Sequence, residues 1–348
     1  KALARFGQRF ANKAREIATE ERNEARKREL EDMADICEWV PANPARTFRE
    51  ALQSYWFVNL FTRVLDLQSS GYGESLDQLF YPCYRKDRLE GRITKKEATE
   101  LLGLLFLKMN EEGGLIPPAQ AGGGGTLITR VTTIGGQTVD GDDATNELTY
   151  ITMDAKNEVG LTQPAIAVRL HRNTPTQLLS RIADSLTKEP GVYSFFNDEM
   201  MIPHLMRLGV PLEDARNYST DGCMRWTIPG KAICVRGLGG MFILPRCLEY
   251  ALLQGVNKLN GKNMGAPTPD PGAFNSIEDV IDAYLEQVRF FMAKLVTIYN
   301  MVDVLDEEWL PQPLLSAVVD GCIQKGQDCR KYKYLPNTII QPIGQITV

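Results

Sequence analysis

The sequence predicts an α/β protein with parallel strands. Short β-branched runs alternate with longer stretches of helical periodicity, and glycine or proline stands between them. Hydrophobic residues make up 43% and charged residues 24%, the balance of a chain with a packed core. Its 348 residues suit about two domains or one large barrel-type domain.

Residues 1–37 are charged and Ala-rich, with no proline and no glycine after Gly7, and predict one long amphipathic helix. Pro41 and Pro44 stop it, because a residue before proline leaves the α region. Thr47 with Glu50 three positions on is a capping-box signal for an apolar helix through Leu67. Residues 68–74, with Gly71 and Gly73, read as a loop. Thr94 and Glu97 repeat the capping signal before Leu101, Leu102, Leu105 and Leu107. Four glycines (122–125) then precede a strand over 126–134, which Gly135-Gly136 ends. A helix over 140–155, a strand over 165–170, a helix from Pro175 and a strand over 193–197 follow. Pro211 starts a further helix. Ser276 and Asp279 open the clearest helix, in which Val288, Phe291, Leu295, Ile298, Val302 and Leu305 recur every three or four residues.

Several function classes lose their material at this level. The net charge is −5, and the basic residues of 13–28 are interleaved with Glu16, Glu20, Glu21 and Glu24. That is a solvated helix face, so no nucleic-acid partner is expected. No apolar run is long enough to cross a membrane and no signal-peptide core opens the chain, so a cytoplasmic protein is expected. Seven scattered cysteines without a CxxC pair support neither a disulfide framework nor a zinc site, and no metal is expected. The glycine run lacks the phosphate-loop spacing, and Leu127 interrupts a dinucleotide pattern.

One segment stands apart. Residues 218–231 place Cys223 after Gly222, between turn-forming residues and a closing Pro229-Gly230, which suits a tight loop presenting one sulfur. No histidine lies nearby to make a thiolate nucleophile, and a sulfur acting as a radical carrier needs none.

These residues and others give the chain its resemblance. Matching words run through residues 40–57, Asp77-Gln78-Leu79-Phe80-Tyr81-Pro82, Ile134-Gly135-Gly136, Asp140-Gly141, Asp143-Ala144 and Asn146-Glu147-Leu148. They continue through Val168-Arg169-Leu170-His171, Phe196-Asn197-Asp198-Glu199, Leu212-Glu213-Asp214-Ala215-Arg216 and Gly222-Cys223. The chain resembles the pyruvate formate-lyase-like glycyl radical enzymes. The resemblance implies a ten-stranded barrel of two parallel five-stranded half-sheets surrounded by helices, with Cys223 as the thiyl carrier on an inner loop. It implies no directly bound cofactor. A protein glycyl radical would be installed by a separate radical S-adenosylmethionine activating enzyme, in an anaerobic microbe. A homodimer or a complex with small subunits is expected.

Two departures refine that expectation. Eliminating members read Gly-Cys-x-Glu in the loop, whereas Arg225 stands here in the place of the Glu, followed by Trp226. The acidic residue that dehydratases carry further on falls near Arg236. Two arginines suit an anionic partner, since guanidinium forks bind carboxylates bidentately. The expected reaction is therefore addition of a hydrocarbon to fumarate, as in benzylsuccinate and alkylsuccinate synthases. Arg236, Arg225 and His171 would serve as binding residues, with Met224 and Trp226 as apolar wall. Another radical lyase, such as an arylacetate decarboxylase or a dehydratase, or an inactive paralogue are the alternatives. Second, no radical-glycine motif is present, and the usual Gly-Arg before Asp77 is replaced by Glu74-Ser75-Leu76. Residues 1–348 are thus expected to be the central part of a larger domain, without its N-terminal region and glycyl radical domain, and inactive alone.

Overall fold

The computed structural model describes residues 1–65, 73–111, 130–188, 191–221, 225–231 and 243–332. The chain forms two compact units, Lys1–Val235 with Gln312–Gln327, and Arg236–Pro311 with Asp328–Val348.

In the first unit the predicted single N-terminal helix is two, α1 (Ala2–Glu20) and α2 (Glu24–Trp39). The break comes from Asn23, whose side chain accepts from the N–H groups of Ala25 and Arg26 and so restarts the helix. Gly7 lets the two helices meet, because a Cβ there would lie 2.5 Å from the Cys37 carbonyl. Helix α3 (Phe48–Leu65) starts where Thr47 predicts. Thr47 Oγ1 accepts from the Glu50 N–H at 3.2 Å, and the Glu50 carboxylate accepts from the N–H of Arg46 at 2.6 Å, with the Thr47 N–H also lowering its pKa. Short helices α4 (Leu76–Leu79) and α5 (Tyr81–Leu89) lead to α6 (Lys95–Glu111), whose Thr94–Glu97 box closes in both directions.

The sheet is parallel, in the order β1 (Val131–Gly135), β2 (Ala165–Leu170), β3 (Tyr193–Asn197). Its register pairs Val131 with Ala165 and Ile166 with Tyr193. Glu74 adds a parallel bridge to Thr132 on the far side of β1. The crossover helices are α7 (Glu147–Val159) and α8 (Thr176–Lys188). Helix α7 begins later than the sequence predicts. Asn146 forms a capping box with Thr149, so the acidic residues 140–143 are left in the preceding turn. Ile134, Ile166 and Val168 pack with Met153 of α7 and Leu178 and Ile182 of α8. A second core joins Phe48, Leu52, Leu76, Phe80, Tyr84, Leu102, Phe106 and Leu148.

After α9 (Asp198–Arg207) and α10 (Leu212–Arg216), the segment expected to be one tight loop carries regular pairing instead. Strands β4 (Ser219–Asp221) and β5 (Arg225–Thr227) run antiparallel, with Thr220 opposite Trp226 and Asp221 opposite Arg225. Among the described residues the sheets have three and two strands. The ten-stranded barrel stays an expectation for a longer protein.

The second unit contains α11 (Leu244–Leu252) and α12 (Ile277–Trp309), and the Ser276–Asp279 capping box is present as predicted. Cys247 and Leu295 are its small buried core, with Val288 and Phe291 packed alongside. Two short helices, α13 (Pro313–Ser316) and α14 (Cys322–Lys325), return to the first unit. Among the described residues no helix is long and apolar enough to cross a membrane.

Candidate functional site

The β4–β5 pair is the structural frame of the segment singled out by sequence, since residues 222–224 connect its two strands. Its base is held from three directions. On the β1 side, Thr220 N–H donates to Thr133 Oγ1 at 2.9 Å and the two threonine hydroxyls lie 3.0 Å apart. On the Glu74 side, the Ser219 hydroxyl donates to the Gly73 carbonyl. Gly73 has φ +67°, and a Cβ there would run into the Thr227 methyl and Ser219 Oγ, so both its conformation and its closeness to the strands need glycine.

The third hold is a buried guanidinium. Arg169, on β2, donates through Nε and Nη2 to the two oxygens of Asp198, at 3.0 and 2.9 Å. Its Nη1 donates to the Tyr218 carbonyl at 2.8 Å and its Nη2 to the Arg216 carbonyl at 2.7 Å. The Tyr218 hydroxyl donates to Asp198 at 2.8 Å, and the Arg169 Cζ sits 4.1 Å from the Tyr218 ring centre. Arg169, Asp198 and Tyr218 are all buried. Burial, together with the Asp198 carboxylate, pushes the Tyr218 phenol well above its ordinary range, so it stays a donor. A buried ion pair survives when further hydrogen bonds satisfy both partners, and the Arg216 and Tyr218 carbonyls and the Tyr218 phenol do so here.

Asp77 is a further buried charge near the sheet. Its Oδ2 accepts from Gly135 N–H at 2.9 Å and from Thr149 Oγ1 at 2.7 Å, tying α4 to the end of β1 and to α7. Burial raises its pKa from 3.8 to about 6, against the lowering effect of those two bonds.

A cavity of about 630 Å³ lies beside the frame, with Tyr55, Asn59, Glu74, Gln78, Asn217 and Pro229 in its wall. Tyr55 donates its hydroxyl to Glu74. Asn59 Oδ1 accepts from Arg130 at 2.6 Å, which leaves the amide nitrogen as a buried donor in the wall without a hydrogen-bond partner. Sequence reasoning reached Glu74 only as a departure from the family pattern and did not reach Tyr55 or Asn59. Their signal is three-dimensional, since α3 and the Glu74 bridge converge only in the fold.

The residues singled out from sequence are not brought together by the described structure. Cys223, Met224 and Arg236 lie outside the described residues. Arg225 opens β5, opposite Asp221, and Trp226 is half-buried opposite Thr220. His171 sits in the turn after β2. Its Nε2 lies 3.0 Å from Asp143 Oδ1 and its Nδ1 accepts from Asn173 N–H at 3.3 Å, which makes Nε2 the protonated nitrogen. Both ring nitrogens are thus engaged in the turn, and His171 is not part of the cavity wall. Among the described residues no cluster of three or more His, Cys, Asp or Glu could hold a metal.

The chain is 35% identical over 327 residues to the isethionate sulfite-lyase of Nitratidesulfovibrio vulgaris, covering 93% of this chain and 39% of that protein. It is 33% identical over 356 residues to the trans-4-hydroxy-L-proline dehydratase of Clostridioides difficile, covering 100% and 44%. A crystal structure of a glycyl radical enzyme from Archaeoglobus fulgidus superposes with a TM-score of 0.86 at 32% identity, over 94% of this chain and 42% of that one. The chain therefore spans about two-fifths of the length of these relatives. The two relatives are named as a lyase and a dehydratase, which does not bear out the particular closeness to fumarate-adding synthases expected from Arg225 and Arg236. With the family pattern matching residues 1–348, the parallel sheet, the strand pair around 222–224 and the relatives agree, and the chain belongs to the pyruvate formate lyase-like family of glycyl radical enzymes.

Proposed function

We propose that the chain is the thiyl-bearing central part of a radical lyase that eliminates a group from a small anionic substrate. The observation that carries the reading is Cys223 between two paired strands, in a chain whose named relatives are a sulfite-lyase and a dehydratase. The radical, held on a protein glycine beyond this chain and installed by an activating enzyme, supplies the unpaired electron. Cys223 would take a hydrogen atom from a substrate C–H bond, forming S–H. The adjacent group would then leave with the electron pair of its C–O or C–S bond while the O–H or N–H next to the radical carbon gives its proton to the leaving group or to water, and the resulting neutral carbon radical would take the hydrogen back from the Cys223 thiol. The sulfur is restored at the end of each turnover.

Arg225 and Arg236 support an anionic substrate, because a guanidinium pairs with a carboxylate or sulfonate through two parallel bonds. Their presence where eliminating members carry acids also suits a leaving group that departs as a stable anion, which requires no proton from the protein. The same substitution favours the second reading, fumarate addition. Full-length protein, activated anaerobically, decides between them when offered isethionate, trans-4-hydroxy-L-proline, glycerol, an arylacetate, and toluene with fumarate, with products followed by NMR. Product from isethionate or trans-4-hydroxy-L-proline without fumarate, lost in Cys223→Ala, supports elimination from an anionic substrate; product from the arylacetate or glycerol alone counts against it. Turnover only when fumarate is supplied overturns it.

A further inference from the structure

We infer that Arg169, with Tyr218, is a positioning residue that sets where the β4–β5 strand pair starts, the pair whose connection carries Cys223 in sequence. This inference deepens the reading above and rests on it for its catalytic meaning. The guanidinium joins three stretches of chain. It grows from β2, pairs with the first residue of α9, and donates to the last residue of α10 and to the residue preceding β4. Five covalent steps separate Tyr218 from Cys223, and both residues that follow Tyr218 are pinned by Gly73 and Thr133. The strands therefore start from a point referenced to the sheet itself.

Only arginine fits this place. A lysine ammonium is a point donor and cannot reach a carboxylate in fork geometry while also serving two carbonyls at different angles. Gly136 makes the room: a Cβ on it would lie 2.6 Å from the Arg169 Cζ and Nε. The phenol of Tyr218 closes the arrangement by sharing Asp198. Hydrogen transfer between carbon and sulfur depends steeply on placement, and a displacement of about 1 Å far from the chemistry can cost roughly 100-fold.

The test reads Cys223 directly in the full-length, unactivated protein under anaerobic conditions. Iodoacetamide alkylation of Cys223 is followed by mass spectrometry, with half-buried Cys83 as internal reference. Arg169→Lys is expected to change the Cys223 rate at least fivefold while Cys83 stays within twofold. An unchanged Cys223 rate, or equal changes at both cysteines, overturns the inference, since equal changes mean general loosening. If Arg169→Lys does not fold, Tyr218→Phe, which keeps every guanidinium contact except the shared phenol, decides by whether the ratio moves at least twofold. After activation, turnover per radical spin on the substrate identified above should fall at least tenfold in Arg169→Lys with KM little changed; turnover per spin equal to wild type also overturns the positioning role. Full turnover in Cys223→Ser would remove the thiyl reading, while the alkylation ratio would still report the anchor alone.

Discussion

Among the buried ionised side chains around the sheet, Arg169 on β2 and Asp77 against the end of β1 are treated by the fold in opposite ways. Arg169 is paired with Asp198 and has carbonyl acceptors for its further donors. Asp77 is equally buried, yet it accepts only neutral donors at Oδ2, and its Oδ1 has no hydrogen-bond partner. The first charge is stabilised in place and organises three stretches of chain. The second is held by geometry at an electrostatic cost, visible in the rise of its pKa to about 6. A buried charge thus marks an anchor in both places, but at Asp77 the favourable bonds and the more distant Arg169 charge do not offset burial.

The largest expected effect breaks the paired side. Arg169→Met leaves Asp198 buried without its cation, and losing one partner of a buried pair destabilises by about 3–5 kcal/mol. Urea denaturation should show that loss, and a change under about 1 kcal/mol would mean water or another donor replaces the guanidinium.

Next comes the unpaired side, read through pH. The folded-state pKa of Asp77 lies above its ordinary 3.8, so between about pH 4 and 6 the folded protein binds more protons than the unfolded chain. This contribution is fully present below about pH 4 and is lost as pH rises through about 6, a difference of roughly 3 kcal/mol. Asp77→Asn keeps an oxygen for Gly135 and Thr149 and should remove that component. If the variant and wild type fall in parallel from pH 4 to 7, another group is responsible.

Gly136→Ala tests the space beside the guanidinium. The backbone has φ +83° and the new methyl would meet Arg169, so a loss on the order of 2 kcal/mol is expected. Thermal denaturation equal to wild type would show that the arginine can shift without penalty. Tyr218→Phe should give the smallest effect, about 1 kcal/mol for one hydrogen bond to a carboxylate that keeps its guanidinium. A loss approaching that of Arg169→Met would mean that the phenol, not the fork, holds the strands.

The local signals were legible before the fold was known. Thr94, Ser276 and Pro175 mark helix starts by chemistry that acts within four residues, and those helices begin where the signals stand. Strands β2 and β3 have the predicted bounds: β2, buried along its middle, reads as a short apolar run, and β3 as a short aromatic one. Asn23 was missed because its cap sits inside a charged helical pattern that continues on both sides. Asn146 was missed for the opposite reason, since the acidic residues before it imitate a first helical turn.

The sequence by itself determined the family, the alternation of strands and helices, and Cys223 as the sulfur to examine, all through local or in-order patterns. Only the tertiary structure decided that Arg169 meets Asp198, Tyr218 and Arg216, that Gly73 must stay bare beneath Thr227, and that Tyr55, Asn59 and Glu74 share a cavity. Those partners are 29 to 49 residues apart for Arg169, and 146 apart for Gly73 and Ser219. Nothing in the spacing of a chain records such meetings, because they are set by how strands pair and which face each helix buries.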